Sequence, residues 1–419
     1  MTDSDEMRLS PNRSVAVIGG GPAGLIAAEL LIKAGARVTV YDQMPSLGRK
    51  FLMAGRGGLN LTHSEELKTF LTRYGNSDPL LHGAIEAYPP AALRAWSDTL
   101  GQPTFIGTSG RVFPTVLKTS PLLRTWLLRL GNLGVEFKLR HRWEGWDEDG
   151  NLRFTTGDKE VFAEPDATVL ALGGGSWPKL GSDSRWVELL GAEDIATAPL
   201  RASNCGFTAA WSDVFKTFEG QPLKNIGITF DGRSVRGEAM ITRAGIEGGA
   251  VYALSSSIRD AVLRDGAATI SIDLMPEVSA AKLTERLSKS RGKQSLSNFL
   301  RKTTHLSAAS LGLLREAAFA GGIPLATLDA AKLAALIKAA PVKLTGVQPM
   351  ETAISTAGGV SFAELDERFM LTRYPGIFVA GEMLDWDAPT GGYLLQASFA
   401  TGVAAARGVI AWLQPPARD

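Results

Sequence analysis

The sequence predicts an α/β fold: a doubly wound parallel sheet with helices on both faces, interrupted by an inserted lobe. Three observations predict it. Near the N-terminus an apolar run, Ser14–Ile18, meets a Gly-rich turn and a helical stretch, Pro22–Ala34; Gly35 stops the helix and a second apolar run, Arg37–Tyr41, completes a βαβ unit. At the other end, strand-like Ile377–Ala380, a Gly-rich loop and a helix from about Gly392 to Leu413 repeat that texture. Between about 196 and 344 the texture changes, so this block reads as an insertion.

In chain order, residues 1–13 are polar and read as a tail, and 42–62 are Gly-rich and irregular. Ser64–Arg73, Ala84–Leu100 and Ser120–Leu133 read as helices; Val135–Arg140, Leu152–Thr156 and Thr168–Leu172 read as strands. In the insertion, Asn204–Ala210, Ile226–Phe230 and Ser234–Met240 suggest a short β unit, and Ser255–Leu263, Ala280–Lys289 and Leu296–Leu336 a helical one. Thr352–Thr356 and Phe369–Leu371 read as further strands. The expected division is a discontinuous domain of 1–195 and 345–419, a small barrel-like unit of 196–250 with about 338–350, and a helical unit of 251–337.

Composition excludes several function classes. The chain has 44 basic and 43 acidic side chains, so no chain-wide field steers it onto nucleic acid or an anionic membrane; such binding would be local. The single cysteine, Cys205, excludes a disulfide framework, a Cys-x-x-Cys redox pair and a Cys-rich metal centre, and fits a reducing cytoplasm. His63, His82, His141 and His305 show no i, i+4 pair, and no metal is expected. The nearly uncharged run Val15–Ile32 contains Gly19-Gly20-Gly21-Pro22 and follows acidic Asp3, Asp5 and Glu6, which argues against a signal or membrane segment.

Four blocks carry chemistry. Gly19-x-Gly21-x-x-Gly24 sits between a predicted strand and helix: Gly19 permits the tight turn, Gly21 close approach to a pyrophosphate, and Gly24 close helix–strand packing. The helix N-terminus at Pro22 and Ala23 offers free N–H groups to phosphate, and Asp42, ending the second strand, suits ribose hydroxyls. This fingerprint serves NAD and FAD alike. The far block, Gly381-Glu382 with Asp385 and Gly391-Gly392-Tyr393-Leu394, favours FAD, because a flavin extends beyond its ADP half and a helix N-terminus suits the negative end of a reduced ring. Gly48-Arg49-Lys50 through Ala54-Gly55-Arg56-Gly57-Gly58-Leu59-Asn60 lets main chain lie beside a ring, with Arg49 or Lys50 against pyrophosphate. Ala171-Leu172-Gly173-Gly174-Gly175 is an apolar strand running into glycines; Trp177-Pro178 follows in place of a third Gly and a helix, so it reads as a close-approach strand end and not a second nucleotide domain.

With Gly110-Arg-Val-Phe-Pro114 and Thr356-Ala-Gly-Gly359, these blocks resemble the bacterial BaiN/YhiN-like flavoprotein family of FAD/NAD(P)-dependent oxidoreductases of glutathione-reductase-like fold, over about 14–413. The resemblance implies a Rossmann-like FAD domain interrupted by a small β-barrel-like unit and a helical unit. Many members have Gly-Arg-Cys-Asn where this chain has Gly57-Gly58-Leu59-Asn60, so no role of that Arg and Cys transfers. The cofactor-binding residues expected are Gly19, Gly21, Pro22, Ala23, Gly24, Asp42, Gln43, Arg49, Lys50, Ala54, Gly55, Gly58, Asn60, Trp143, Ala171, Leu172, Gly173, Gly381, Glu382, Asp385, Gly391, Gly392, Tyr393 and Leu394; the catalytic candidates are Tyr393 and Arg56.

The expected activity is FAD-dependent oxidoreduction, with hydride moving between flavin N5 and a small organic substrate in the cleft between FAD domain and insertion, and non-covalent FAD. NADH or NADPH, as an electron donor, is expected to enter the same cleft, because no second fingerprint is present. Two alternatives stand beside this: a flavoprotein acting on RNA and a non-catalytic flavin-binding protein. Lys282, Arg286, Lys289, Arg291, Lys293, Arg301 and Lys302 against Glu285 support the first alternative, although a solvated helix face is the more ordinary reading of such a run. No membrane partner is expected, nucleic acid is disfavoured, and the oligomeric state stays open.

Overall fold

The structure, a computed structural model, describes residues 9–10, 12–55, 57–75 and 77–414. The chain divides into two compact units, Met1–Arg201 with Ser355–Asp419, and Ala202–Ile354.

The first unit is built on the parallel sheet expected from the opening βαβ. Strand β1 (Ser14–Ile18) leads into helix α1 (Pro22–Lys33) and strand β2 (Arg37–Asp42); β3 (Glu136–Leu139), β4 (Ala167–Leu170) and β5 (Ile377–Val379) complete the sheet in the order β5-β4-β1-β2-β3. All four pairings are parallel, with Val15 opposite Ala167 and Val38. Both faces are covered, and β1 and β4 accordingly read as nearly uninterrupted apolar runs. The strand order reverses between β1 and β4, so the ends of those strands frame a crevice. The crossover from β3 to β4 is an antiparallel meander, Arg142–Trp146, Leu152–Thr156 and Lys159–Ala163, of which only the middle strand was expected.

The last helix, Tyr393–Leu413, is long and apolar enough to cross a membrane by length and composition, but most of its apolar stretch is buried inside this unit. Its small residues explain how: a Cβ at Gly402 would collide with the Ala23 carbonyl, so the helix lies backbone-close on α1. Glu29, fully buried on α1, is satisfied on every side. Its Oε2 accepts from the Trp126 indole at 2.7 Å and the Trp96 indole at 3.1 Å, while its Oε1 accepts from Lys33 and from Arg129 at 3.1 Å. Burial pushes the carboxyl up, but these donors outweigh it and hold it below the usual carboxylate range.

Three helix assignments change. Ala84–Leu100, expected as one helix, is two, Pro79–Ala87 and Pro90–Thr99. Tyr88, at φ −135°, precedes Pro89 and leaves the helical region as a residue before proline does, and Pro90 opens the second helix. The irregular span 42–62 contains a six-residue helix, Arg49–Ala54. Leu296–Leu336 is three helices, Leu296–Thr304, Ala308–Ala320 and Ala330–Lys338, each begun by a side-chain cap from Ser295, Ser307 or Asp329. Two strand expectations also shift: Met350–Thr352 is a 3-10 turn before the strand Ser355–Val360, and 369–371 makes only isolated bridges.

The second unit is a closed six-stranded antiparallel barrel with helices. Its staves run Phe207–Ala209, Gly245–Glu247, Arg233–Ile241, Pro222–Phe230, Ala268–Asp273 and Ala340–Val347, the last returning to the first. The span 251–337, read from the sequence as a helical unit, therefore supplies one stave between its helices. Ala268, Ile270 and Ile272 face inward and the residues between them do not, a period-two pattern only six residues long.

Candidate functional site

The end of β1, the start of α1 and the ends of β2 and β4 converge on one groove. Gly19, the first residue after β1, has φ +108°, and a Cβ there would collide with the Ala171 carbonyl at the end of β4. Gly24 is tighter still: a Cβ there would overlap the Gly19 carbonyl oxygen and lie 3.1 Å from Val17 Cγ1. Gly21 differs from both. A Cβ there meets no protein atom within 4 Å, and its φ of −85° is open to any residue, so neither packing nor conformation within the protein demands glycine. No side chain caps α1 at this end, and Pro22 occupies its first turn. An uncapped helix start behind a glycine with open space before it is the geometry that admits a phosphate.

Asp42 closes one side. Its Oδ2 accepts from Gly20 N and its Oδ1 from Met44 N, each at 2.8 Å. Burial pushes its carboxyl up, against the opposing pull of these two amides and nearby Arg49. Gln43 turns the other way, donating to the Gly181 carbonyl at 2.9 Å.

Of the residues expected to bind cofactor, Gly19, Gly21, Pro22, Ala23, Asp42, Gln43, Arg49, Lys50, Trp143, Ala171, Leu172, Gly173, Gly381 and Glu382 line this groove. Gly24 lies immediately behind it. Arg49 and Trp143 contribute something further: Arg49 Nε and Trp143 Nε1 are buried and have no hydrogen-bond partner among the described residues. Two orphaned donors lining one groove match an acceptor-rich ligand. Lys50, expected beside pyrophosphate, is matched within the protein: its Nζ lies 2.6 Å from Glu382 Oε2 and 2.6 Å from Ser176 Oγ.

Gly55, Gly58, Asn60, Asp385, Gly391, Gly392, Tyr393 and Leu394 lie outside this groove, as does exposed Ala54. Gly392 packs on the Thr62 backbone, and Thr62 Oγ1 donates to Gln396 Oε1 at 2.8 Å. Asn60 Nδ2 donates to the Thr62 and Val112 carbonyls at 2.8 and 3.2 Å. This second group and the groove are joined by two helices. Arg49–Ala54 begins in the groove, and the last helix reaches it through Ser398, four residues beyond Leu394.

Tyr393 is buried in an aromatic cluster. Its hydroxyl donates to Glu65 Oε1 at 2.7 Å, its carbonyl accepts from Tyr74, and its ring lies 5.5 Å from His63 and 4.8 Å from Phe70. Burial and then Glu65 push the phenol up, and Glu65 also accepts a bidentate pair from Arg73. The other catalytic candidate, Arg56, lies outside the described residues. Sequence reasoning missed Arg142, Arg185 and Trp186, which also line the groove. They come from the meander and the segment after it, which follow no motif; Trp186 Nε1 donates to the Gly173 carbonyl at 2.9 Å, a link only the fold reveals.

Residues 13–408 match the family described as the HI0933-like protein Rossmann domain. The chain belongs to this family. It is the BaiN/YhiN-like family of FAD-dependent oxidoreductases that the motifs resemble. Among its relatives, the ribosomal RNA dihydrouridine synthase of Escherichia coli is 27% identical, covering 94% of this chain and 97% of the relative. The 3-dehydro-bile acid delta(4,6)-reductase of Clostridium scindens is 24% identical, covering 94% and 98%. The solved structure of a 3-ketosteroid-delta4-(5alpha)-dehydrogenase from Rhodococcus jostii shares the fold, with TM-score 0.51, 16% identity, and coverage of 96% of this chain and 97% of that one.

Proposed function

We propose that this enzyme uses FAD held in the groove to add two hydrogens across a carbon–carbon double bond conjugated to a carbonyl. The observation that carries the reaction is the bond change shared by two of its full-length relatives. One makes a dihydrouridine and the other is a delta(4,6)-reductase, so both saturate a double bond although one acts on RNA and the other on a bile acid. When bound and reduced by the electron donor, the flavin would supply the hydride for one carbon of that bond and a proton from solvent would complete the other.

The chain's own residues do the rest of the work. Gly21 and the uncapped start of α1 admit the pyrophosphate, Asp42 meets the ribose, and Arg49 and Trp143 donate from the groove wall. The second group of residues would hold the ring, where the positive end of the last helix, at Gly391-Gly392, would favour negative charge on it when reduced. Tyr393 acts there as a positioning residue: its hydroxyl is committed to Glu65, and its carbonyl and ring hold the start of the helix. A nicotinamide reductant takes its turn at the same flavin face, because the Gly-rich strand end Gly173-Gly174-Gly175 is engaged by Glu382, which accepts from Gly174 N, and by Thr356, which accepts from Gly175 N.

The test is product analysis. With a chemical reductant, the purified enzyme is expected to convert cyclic enones or uracil nucleosides to products carrying two more hydrogens, and to leave the matched saturated ketones unchanged. Turnover of alcohols or amines with no reduction of any conjugated double bond would overturn the reading.

A further inference from the structure

Helices Ala280–Leu287 and Leu296–Thr304 each begin on a serine, Ser279 accepting from Lys282 N and Ser295 from Asn298 N. The first buries Leu283 and Leu287, the second Phe299 and Leu300. Their remaining faces and the connection 288–295 are turned outward. Lys282, Lys289, Arg291, Lys293, Arg301 and Lys302 are exposed and Arg286 half-buried, with Glu285 the one acid among them.

Two features separate this surface from an ordinary solvated helix face. Solvated faces usually interleave both signs; here, among the described residues, none of the seven cations makes an ion pair. Elsewhere in the same unit several cations are paired, among them Lys338 with Asp273 and Arg236 with Glu277, both at 2.6 Å. The whole chain carries +1, so the rest of it is net negative and positive charge is concentrated here. The connecting Ser288-Lys-Ser-Arg-Gly-Lys-Gln-Ser295 offers cations, hydroxyls and main-chain amides, and no aromatic ring on which an unpaired base could stack.

We propose that this helical hairpin docks the phosphate backbone of a base-paired RNA. Donors without stacking platforms read phosphate and shape and not splayed single-stranded bases. The inference deepens the proposed reaction by choosing the polynucleotide among carriers of a conjugated double bond, and it rests on that reading only for this choice. Binding itself is measured without turnover, so the two can fail separately.

The experiment is fluorescence anisotropy of the flavin-loaded protein with a labelled RNA stem-loop, against a single strand of equal length, a DNA stem-loop and phosphatidylserine vesicles. The stem-loop RNA is expected to bind most tightly, with affinity falling steeply as salt rises. Combining K289Q, R291Q, K293Q and K302Q is expected to weaken it by about tenfold or more at low salt and to flatten the log–log salt slope by about three to four. The same variant should keep its flavin spectrum and its reaction with a small enone. Neutralising Arg124 and Lys159, exposed cations outside this unit, should change nothing. No RNA binding at low salt, equal binding by the quadruple variant, or tighter binding to the DNA or the vesicles would overturn the proposal.

Discussion

Lys50 Nζ stands 2.6 Å from Glu382 Oε2 although 332 residues separate them. The same carboxylate accepts from Gly174 N at 3.3 Å and Thr356 N at 3.1 Å, and Thr356 Oγ1 accepts from Gly175 N at 2.9 Å. One partly buried ion pair thus ties the loop after β2, the end of β4 and two segments of the final third into one wall of the groove. A double-mutant cycle on Lys50→Met and Glu382→Gln, read by urea unfolding, is expected to give a coupling of about 1–2 kcal/mol. Additive losses would show that the pair is incidental.

Gly21 and Gly24 should respond oppositely to a side chain. Gly21→Leu enters space bounded by no protein atom at an ordinary φ, so the protein should fold with unchanged apo stability and lose its flavin. Gly24→Ala forces a methyl against the Gly19 carbonyl and should cost about 3 kcal/mol of stability with or without cofactor. Melting curves of stripped and flavin-loaded protein separate the two effects; loss of fold in Gly21→Leu would contradict the assignment.

Glu29 predicts an acid-sensitive core. Its pKa is lowered in the folded state, so its contribution is fully present above the ordinary value of 4.5 and disappears as pH falls through the lowered one. Glu29→Gln puts an NH2 where one oxygen was, so that either both indoles or Arg129 and Lys33 lose their acceptor, and should destabilise by about 3 kcal/mol at pH 7. The gap to the parent should stay constant above about pH 5 and narrow in acid, as measured by denaturant unfolding across pH. A gap that widens in acid would contradict the assigned sign.

Tyr393→Phe removes a hydrogen bond to Glu65 while Arg73 still satisfies that carboxylate. A positioning role predicts about 1 kcal/mol of lost stability and a flavin reoxidation rate within about threefold of the parent. A fall of about a hundredfold with binding unchanged would make the phenol a proton donor.

The βαβ opening, the fingerprint and the last helix were legible because each is written locally, in an apolar run, a glycine spacing or a helix stop. The groove was legible through Gly19, Gly21, Asp42 and Ala171 for the same reason. Arg142 and Arg185 were not, since they reach the groove from a meander whose short strands carry no motif. The partnership of Lys50 with Glu382 depends on closing the sheet with β5, which no local signal records. The barrel stave Ala268–Asp273 was hidden by its length, because six alternating residues between helices acquire meaning only from pairing with Ala340–Val347.

Reoxidation of the reduced enzyme tests the central claim most directly. Protein carrying its own FAD is reduced anaerobically and mixed with a conjugated enone or its saturated counterpart, while flavin absorbance is followed. The account predicts rapid, saturable return of the oxidised spectrum with the enone, one product with two added hydrogens per flavin, and no return with the saturated ketone. A flavin that stays reduced with every conjugated double bond offered, yet reoxidises with an imine or a disulfide, would contradict it.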